Sequence, residues 1–304
     1  MTAMRVSLCL DPGRPWPDLL ALAQRVDAVG WHAVYVCDHF MPHDPGNEAL
    51  SGPVLECWST LAVLAGATAR VRLGSLVLGN TYRHPAVVAN MAATLDVISG
   101  GRVVLGIGAG WQPNEHAAYG FPLLRPAERL QRLDEACAVI RSLLDTERST
   151  AVGPGYQVRD APCEPKPVQP RLPLLVGGGG ERQTLRVAAR HADVWHSWAD
   201  PTSLAHKNEV LDQHCADLGR DPREISRASG GTVFVGAEPP GTTSGGDWDI
   251  QGTVNEATQA LVAYREAGAD EFIVRDHAKA LPIDLALDQI DVLTSGVLPA
   301  LVRS

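Results

Sequence analysis

The sequence predicts an α/β fold, a TIM-type (β/α)8 barrel, and three observations lead to this prediction. Short apolar runs alternate with helix-like segments eight times along the 304 residues. The apolar runs lack a clean period of two, which is typical of parallel strands covered on both faces. Polar or glycine-rich stretches follow the apolar runs, as expected where all strands end at one face of a barrel. We therefore expect a single domain over residues 1–304, with insertion segments at the carboxyl-terminal face.

The predicted elements follow one another in strict alternation. The strands are expected at residues 4–10, 32–40, 71–80, 102–110, 171–178, 193–198, 225–237 and 270–276. The helices are expected at residues 17–30, 57–69, 86–99, 125–144, 182–192, 203–219, 254–268 and 284–301. Leu19, Leu22 and Val26 share one face of the first helix, and Gly30 is a typical helix end. The proline-rich segment at about 146–170 is expected to be an irregular insertion, because the alternation resumes after it.

A doubly wound open sheet is the main alternative fold. It would normally carry the dinucleotide-binding pattern G-x-G-x-x-G after a strand. Gly106 and Gly108 are followed by Trp111 where the third glycine belongs. The glycines at 177–180 are followed by Arg182 or Gln183 at the corresponding position. A Rossmann-type nucleotide site is therefore disfavoured.

The charge balance excludes some classes of partner. There are 26 Lys plus Arg and 35 Asp plus Glu residues, and the formal net charge is −9. This charge disfavours nucleic acid or an anionic membrane as the main partner. No apolar stretch is long enough to span a bilayer, and the six cysteines form no C-x-x-C pair. We expect a cytoplasmic protein with reduced thiols.

Ionisable, amide and aromatic side chains follow the predicted strands. They are Asp38, His39, Asn80, Thr81, Tyr82, Arg83, His84, Trp111, Asn114, Glu115, His116, His196, Ser197, Trp198, Arg275, Asp276 and His277. Because the strand ends of a barrel meet at one face, these side chains are expected to surround a common ligand site.

A metal site and a nucleophilic hydrolase site are both less well supported. Asp38, His39, His43 and Asp44 could suggest metal ligands, but they lie in a loop and no second ligand cluster is evident. No G-x-S-x-G motif is present. We therefore expect no metal.

Four consecutive glycines, residues 177–180, stand between the fifth strand and the fifth helix. A glycine run costs backbone entropy, so a loose turn is a poor reason for it. A phosphate bound by bare backbone at a helix amino terminus is a better reason. We expect that helix to begin near Glu181, whose side chain should point away from the bound anion.

The segments "LGSLVLGNTYRHPAVVANMAATLDVISGGRVVLGIGAGWQPNEHAAYGFP", "GWHAVYVCDHF", "EPKPVQPRLPLLVGGGGERQTLRVAARHADVWHSW" and "LVAYREAGADEFIV" resemble the bacterial luciferase-like superfamily, in the same order. They are most similar to its coenzyme F420-dependent oxidoreductase branch. The resemblance covers most of the chain. It implies a TIM barrel with a deazaflavin or flavin across its carboxyl-terminal mouth, and often a homodimer.

The resemblance also implies roles for particular residues. Asp38 and His39 would be the catalytic pair, and a non-proline cis peptide near Ser75–Leu76 would back the central ring of the cofactor. The further cofactor contacts implied are Ala109, Gly110, Asn114, Gly178, Gly179, Gly180, Gln183 and Thr184. We expect Phe40, Trp111 and Trp198 to shape the substrate pocket.

Two positions depart from the sugar-phosphate dehydrogenases of this branch. Trp111 stands where those members carry a glutamate acid, and His43 stands where they carry a tryptophan. The resemblance therefore implies hydride transfer between coenzyme F420 and a small organic substrate that the sequence does not identify. The alternatives are an FMN-dependent two-component monooxygenase, a non-catalytic flavin- or deazaflavin-binding protein and a metal-dependent hydrolase.

Overall fold

The computed structural model describes residues 3–42, 52–236, 249–276 and 281–302. Its strands are β1 (Arg5–Leu10), β2 (Ala33–Val36), β3 (Arg72–Ser75), β4 (Leu78–Gly79), β5 (Val103–Gly108), β6 (Arg148–Val152), β7 (Gln157–Pro162), β8 (Leu174–Gly177), β9 (Val194–His196), β10 (Ser226–Gly231), β11 (Val233–Val235), β12 (Ile250–Gly252) and β13 (Glu271–Arg275). Its helices are α1 (Trp16–Val29), α2 (Cys57–Ala67), α3 (Pro85–Ser99), α4 (Pro113–Tyr119), α5 (Pro126–Asp145), α6 (Thr184–His191), α7 (Pro201–Leu218), α8 (Val254–Glu266), α9 (Ile283–Val292) and α10 (Leu298–Val302), with a π-helical turn between the last two.

The main sheet closes on itself as a parallel barrel. Its strand order is β3-β2-β1-β13-β10-β9-β8-β5-β4, and β3 also pairs with β5. Because β3 and β4 are two parts of one barrel position, the sheet has eight positions around the barrel. The predicted TIM barrel is confirmed.

The core has two parts, which explains why the strands read as continuous apolar runs. A small cluster fills the inside of the barrel and includes Tyr35, Val104, Leu175 and Ile273. A much larger cluster lies between the strands and the surrounding helices. Both faces of each strand are therefore covered, as parallel strands in such folds require. None of the described helices is long and apolar enough to cross a bilayer.

The insertion at 146–170 is more regular than the sequence indicated. Strands β6 and β7 form an antiparallel hairpin with a register shift between Ser149 and Ala151. The hairpin packs on α5, mainly through β6. The expectation of an irregular segment was wrong because the prolines lie mostly outside the paired residues. Tyr156, near the hairpin tip, donates a hydrogen bond to the carbonyl of Asn80 at 3.4 Å, so the insertion reaches the carboxyl-terminal face.

Several other elements also differ from the predicted ones. The third strand is divided into β3 and β4, and the seventh into β10 and β11, the latter pairing with β12 outside the barrel. Helix α4 was not predicted. Helix α6 begins at Thr184 and not near Glu181, since residues 181–183 form turns.

Candidate active site

Glu115 joins three loops at the mouth of the barrel. Its carboxylate is fully buried and accepts hydrogen bonds from His39 Nδ1 at 2.9 Å, from the Phe40 backbone N–H at 2.8 Å and from the Tyr82 hydroxyl. Since an ionised carboxylate only accepts, Nδ1 of His39 carries a hydrogen. The second ring nitrogen, Nε2, has no hydrogen-bond partner among the described residues and could meet a ligand. The predicted catalytic His39 is therefore oriented by a residue that sequence reasoning had left without a role.

His39 and Glu115 each stabilise the charged form of the other. Burial alone would lower the pKa of His39, but the hydrogen bond and the negative charge of Glu115 outweigh it and raise that pKa. Burial alone would raise the pKa of Glu115, but the bonds from His39, Tyr82 and Phe40 outweigh it and lower that pKa. The arrangement favours an imidazolium beside a carboxylate.

Asp38, the neighbour of His39 in the chain, is held in place by Arg83 and Gly79. Arg83 binds both of its carboxylate oxygens, at 2.8 and 3.0 Å, and also binds Glu56. The Gly79 backbone N–H donates a further bond to Asp38 at 2.9 Å. Asp38 and Arg83 thus form a bidentate ion pair that joins two loops, and the Asp38 carboxylate is buried. Its contacts with this chain explain its position and use much of its accepting capacity.

The third barrel position carries the expected interruption, one residue later than predicted. The cis peptide is Leu76–Val77, not Ser75–Leu76. Ser75 still pairs in the sheet opposite Val36, and its hydroxyl both donates to and accepts from the Gly106 backbone. Ser75 is therefore committed to the barrel, and Leu76 and Val77 form the bulge.

Glycines on neighbouring strands make room for this bulge. A Cβ atom on Gly106 would lie 1.9 Å from the Ser75 carbonyl oxygen. A Cβ atom on Gly108 or Gly177 would lie 2.7 or 2.8 Å from the Val77 side chain. The first two glycines of "GIGAG", Gly106 and Gly108, are therefore explained by close packing against the bulge.

The backbone at Ala109 and Gly110 is fixed from outside the barrel. Gly110 has a φ of +74°, and a Cβ there would lie 2.6 Å from Thr81 Oγ1. Arg129 donates to the Gly110 carbonyl at 2.7 Å. Asn114 accepts a bond from the Glu115 N–H, which leaves its amide nitrogen for other partners. These predicted cofactor contacts lie on the loop after β5 and on the first turn of α4.

The glycine run forms a shallow backbone cradle. Gly178 has a φ of +125°, donates to the His196 carbonyl and accepts from Trp195 Nε1. Within the described residues, no protein acceptor meets the N–H groups of Gly179 and Gly180. Thr184 closes one side, since its Oγ1 would lie 2.8 Å from a Cβ on Gly180. Free N–H groups before a helix form an anion site.

Two half-exposed tryptophans stand at the mouth. Trp111 is 51% exposed and meets the edge of His39, with ring centroids 5.7 Å apart. Trp198 is 46% exposed and stands edge-on to His196 at 4.5 Å. Beside Trp198 opens a cavity of about 460 Å³ whose lining includes Arg275. The geometry is compatible with a substrate pocket at this position.

Phe40 does not join these tryptophans. Its ring packs against Tyr82, Tyr119 and Phe121, with centroids 4.9, 5.2 and 6.0 Å away. This cluster ties the loops after the second, third and fourth barrel positions together. The contacts of Phe40 therefore indicate loop packing instead of the predicted pocket wall.

The sequence analysis placed Tyr82, Arg83 and Glu115 around the site but missed their pairings, because each partner lies in another loop. Arg83 and Asp38 are 45 residues apart, and Tyr82 and Glu115 are 33 apart. A local signal was available for Glu115, a carboxylate within a short predicted loop beside Asn114. Of the suggested metal ligands, Asp38 is bound to Arg83 and His39 to Glu115. His43, Asp44 and His277 lie outside the described residues.

The chain matches the family of luciferase-like monooxygenases over residues 1–240. It is 33% identical over 284 residues to an F420-dependent glucose-6-phosphate dehydrogenase from Microbacterium testaceum, covering 91% of this chain and 80% of that one. Its fold is similar to an F420-dependent secondary alcohol dehydrogenase in complex with an F420-acetone adduct, with a TM-score of 0.83, 22% identity and full coverage of both chains. A long-chain alkane monooxygenase has a TM-score of 0.79, with 16% identity and coverage of 99% of this chain and 91% of that one.

The chain belongs to the luciferase-like monooxygenase family, and the family predicted from the sequence is confirmed. The relatives named above are two dehydrogenases and a monooxygenase, all of which are oxidoreductases. The site fits a group of the deazaflavin or flavin type. The bulge at Leu76–Val77 offers a backing surface, the Ala109–Gly110 backbone offers contacts beside it, and the cradle at Gly178–Gly180 suits a phosphate.

Proposed function

We propose that the protein is a coenzyme F420-dependent oxidoreductase that transfers hydride between the deazaflavin and a small organic substrate. The observation that carries the proposal is the 2.9 Å hydrogen bond between His39 Nδ1 and buried Glu115, in a barrel whose third strand also carries the bulge at Leu76–Val77. The named relatives support F420 as the cofactor. We treat residues 1–304 as one catalytic domain.

The residues that would hold the cofactor fall into two groups. Asp38, Leu76, Ala109, Gly110 and Asn114 would contact the ring system. Gly178, Gly179, Gly180, Gln183 and Thr184 would hold the phosphate. When bound, the deazaflavin supplies the hydride, and the protein supplies position and electrostatics.

His39 would manage the proton. Its Nδ1 hydrogen is committed to Glu115, so Nε2 is the atom from which a proton could reach an oxygen of the substrate. The hydrogen bond to Glu115 and the negative charge of that residue raise the pKa of His39, which favours the protonated imidazole. Trp111, edge-on to His39, would cover the imidazole and limit access of water.

The principal test is a binding titration of the purified protein with F420 and with FMN. We expect saturable binding of F420, followed by reduction or oxidation of the deazaflavin with a panel of alcohols, aldehydes and ketones. Preferential binding of reduced FMN with oxygen-dependent product formation would instead support a two-component monooxygenase, the activity class of the alkane monooxygenase above.

A variant separates catalysis from simple binding. We expect His39→Ala to reduce turnover by about 100-fold or more, the usual contribution of a general acid. Cofactor affinity should change by less than about three-fold, because the imidazole is proposed to act on substrate. Unchanged turnover would remove His39 from the reaction, and binding without any turnover in the unaltered protein would favour a non-catalytic binding protein.

The cavity beside Trp198 would receive the distal part of the substrate. Its lining pairs Arg275 with the carboxylates Asp200 and Asp249. This mixed charge suits an uncharged or zwitterionic group better than a phosphate dianion. Nucleic acid is not a proposed partner.

We further propose a homodimer in the cytoplasm. Helices α2 and α3 expose Val63, Val87, Val97 and Ile98, and Ile98 is 62% exposed. Val87 and Ile98 are eleven residues apart and thus share a face of α3. Adjacent apolar faces of this kind suit a second copy of the chain. All six cysteines are free, which suits a reducing compartment.

A further inference from the structure

Lys207 lies behind the glycine cradle, and sequence reasoning gave it no role. It lies on α7, and its side chain is 20% exposed. Its ammonium donates to the Gly179 carbonyl at 2.8 Å and lies 3.3 Å from Glu181 Oε1. One side chain therefore contacts both a backbone group of the cradle and the carboxylate that directly follows it.

The bond to Gly179 fixes the direction of the next N–H group. In a trans peptide the carbonyl and the following N–H point in opposite directions. With the Gly179 carbonyl turned to Lys207, the Gly180 N–H points away from α7 and toward the open side of the cradle. In the described part of the chain, that N–H meets no protein acceptor. The peptide is thus oriented for an anion.

The contact of Lys207 with Glu181 draws the negative charge of Glu181 away from the glycine cradle. A carboxylate beside a phosphate site opposes binding by like-charge repulsion. Glu181 is instead drawn toward α7, where it contacts Lys207 and, at 3.5 Å, His206. The first cause that lowers the pKa of Glu181 is the hydrogen bond from Lys207. The expected outward orientation of Glu181 thus has a cause in a neighbouring helix.

We propose that Lys207 is the positioning residue that makes the glycine cradle competent for a phosphate, by turning the Gly179–Gly180 peptide and by holding Glu181 away. This inference depends on the proposed function. Lys207 acts through these two groups, not by touching the cofactor, and it is specific to ligands that bear an anionic group at this site.

The test compares two ligands by fluorescence titration: F420 and the same deazaflavin without its phosphate and tail, 8-hydroxy-5-deazariboflavin. We expect Lys207→Met to raise the Kd of F420 by about ten-fold, the loss expected from one charge-assisted interaction. The Kd of the phosphate-free compound should stay within about two-fold, because that compound does not reach the cradle. Lys207→Arg, which keeps a cation, should retain most of the affinity for F420.

The double variant Lys207→Met/Glu181→Gln should recover part of the lost affinity, because no freed carboxylate then remains beside the phosphate. Lys166→Met is the matched control, since Lys166 also donates to backbone carbonyls, those of Leu143 and Thr146, away from the cradle. It should leave both Kd values unchanged.

Several results would overturn the proposal. These are an unchanged Kd of F420 in Lys207→Met, an equal loss for both ligands, or a double variant no better than the single one. Failure of the unaltered protein to bind either compound would refute the proposed function, and this inference with it.

Discussion

Replacing Glu115 by glutamine tests the charge at the centre of the site while preserving its shape. The carboxylate accepts bonds from His39, Phe40 and Tyr82 in a fully buried position. The amide nitrogen of glutamine cannot accept, so one donor is left facing another donor. Losing a hydrogen bond to a charged group costs about 1.5–3 kcal/mol, and an unpaired buried donor costs a similar amount. We therefore expect Glu115→Gln to lower the free energy of unfolding by about 3 kcal/mol near neutral pH.

The penalty should depend on pH in a definite direction. The pKa of His39 is raised in the folded protein. Its contribution is therefore fully present below its unfolded value of about 6.5 and is lost as pH rises through the folded value. The pKa of Glu115 is lowered, so its contribution is present above its unfolded value of about 4.3. The difference between the two proteins should be largest near pH 6 and smaller at pH 9.

Urea unfolding at these two pH values measures the difference in the free energy of unfolding. The pH profile of kcat/KM reports the pKa values of the essential groups in the free enzyme, one limb for each group. The limb assigned to His39 should move to lower pH in Glu115→Gln. Tyr82→Phe is the control, because it removes one bond to Glu115 without removing a charge. An equal penalty at both pH values, together with an unmoved limb, would refute the ion pair.

Three other perturbations test the surrounding framework. Arg83→Met leaves Asp38 buried without its cation and should destabilise the protein by about 3–5 kcal/mol in chemical denaturation; a loss below about 1 kcal/mol would contradict this. Gly106→Ala places a Cβ 1.9 Å from the Ser75 carbonyl, so we expect a loss of about 3 kcal/mol or more, and an unchanged Tm would show that the bulge can move. Ile98→Asp should convert the proposed dimer into a monomer in light scattering, and an unchanged mass would exclude this face.

Much of the site was accessible from the sequence because a barrel gathers its strand ends at one face. Asp38 and His39 follow the second barrel strand, and Trp111 and Trp198 follow the fourth and sixth. Their convergence needs only strand assignments that are correct to within a few residues. The glycine run was correctly placed between a strand and a helix, with Gly177 ending β8, and the phosphate site expected there stays a prediction.

The rest depended on contacts between loops. No local pattern relates Glu115 to His39, or Arg83 to Asp38, because each pair is joined by packing across the mouth. The interruption of the third strand was implied only by the family resemblance, one residue too early, because Leu76 and Val77 are apolar like the rest of the strand. Part of the packing around it lies on another strand, at Gly106. The Lys207 contact is a third case, since it joins α7 to the glycine loop between β8 and α6.

The bulge has a consequence for exchanging parts between relatives of this fold. The kinked segment at Ser75–Val77 occupies space that Gly106, Gly108 and Gly177 leave empty. The third strand and the two strands that carry these glycines therefore have complementary shapes. A chimera that imports a straight third strand would leave gaps beside these glycines, and one that imports a fourth strand with larger side chains would meet the kink. Segments 71–80 and 102–110, together with β8 that carries Gly177, are therefore best transferred as a single unit.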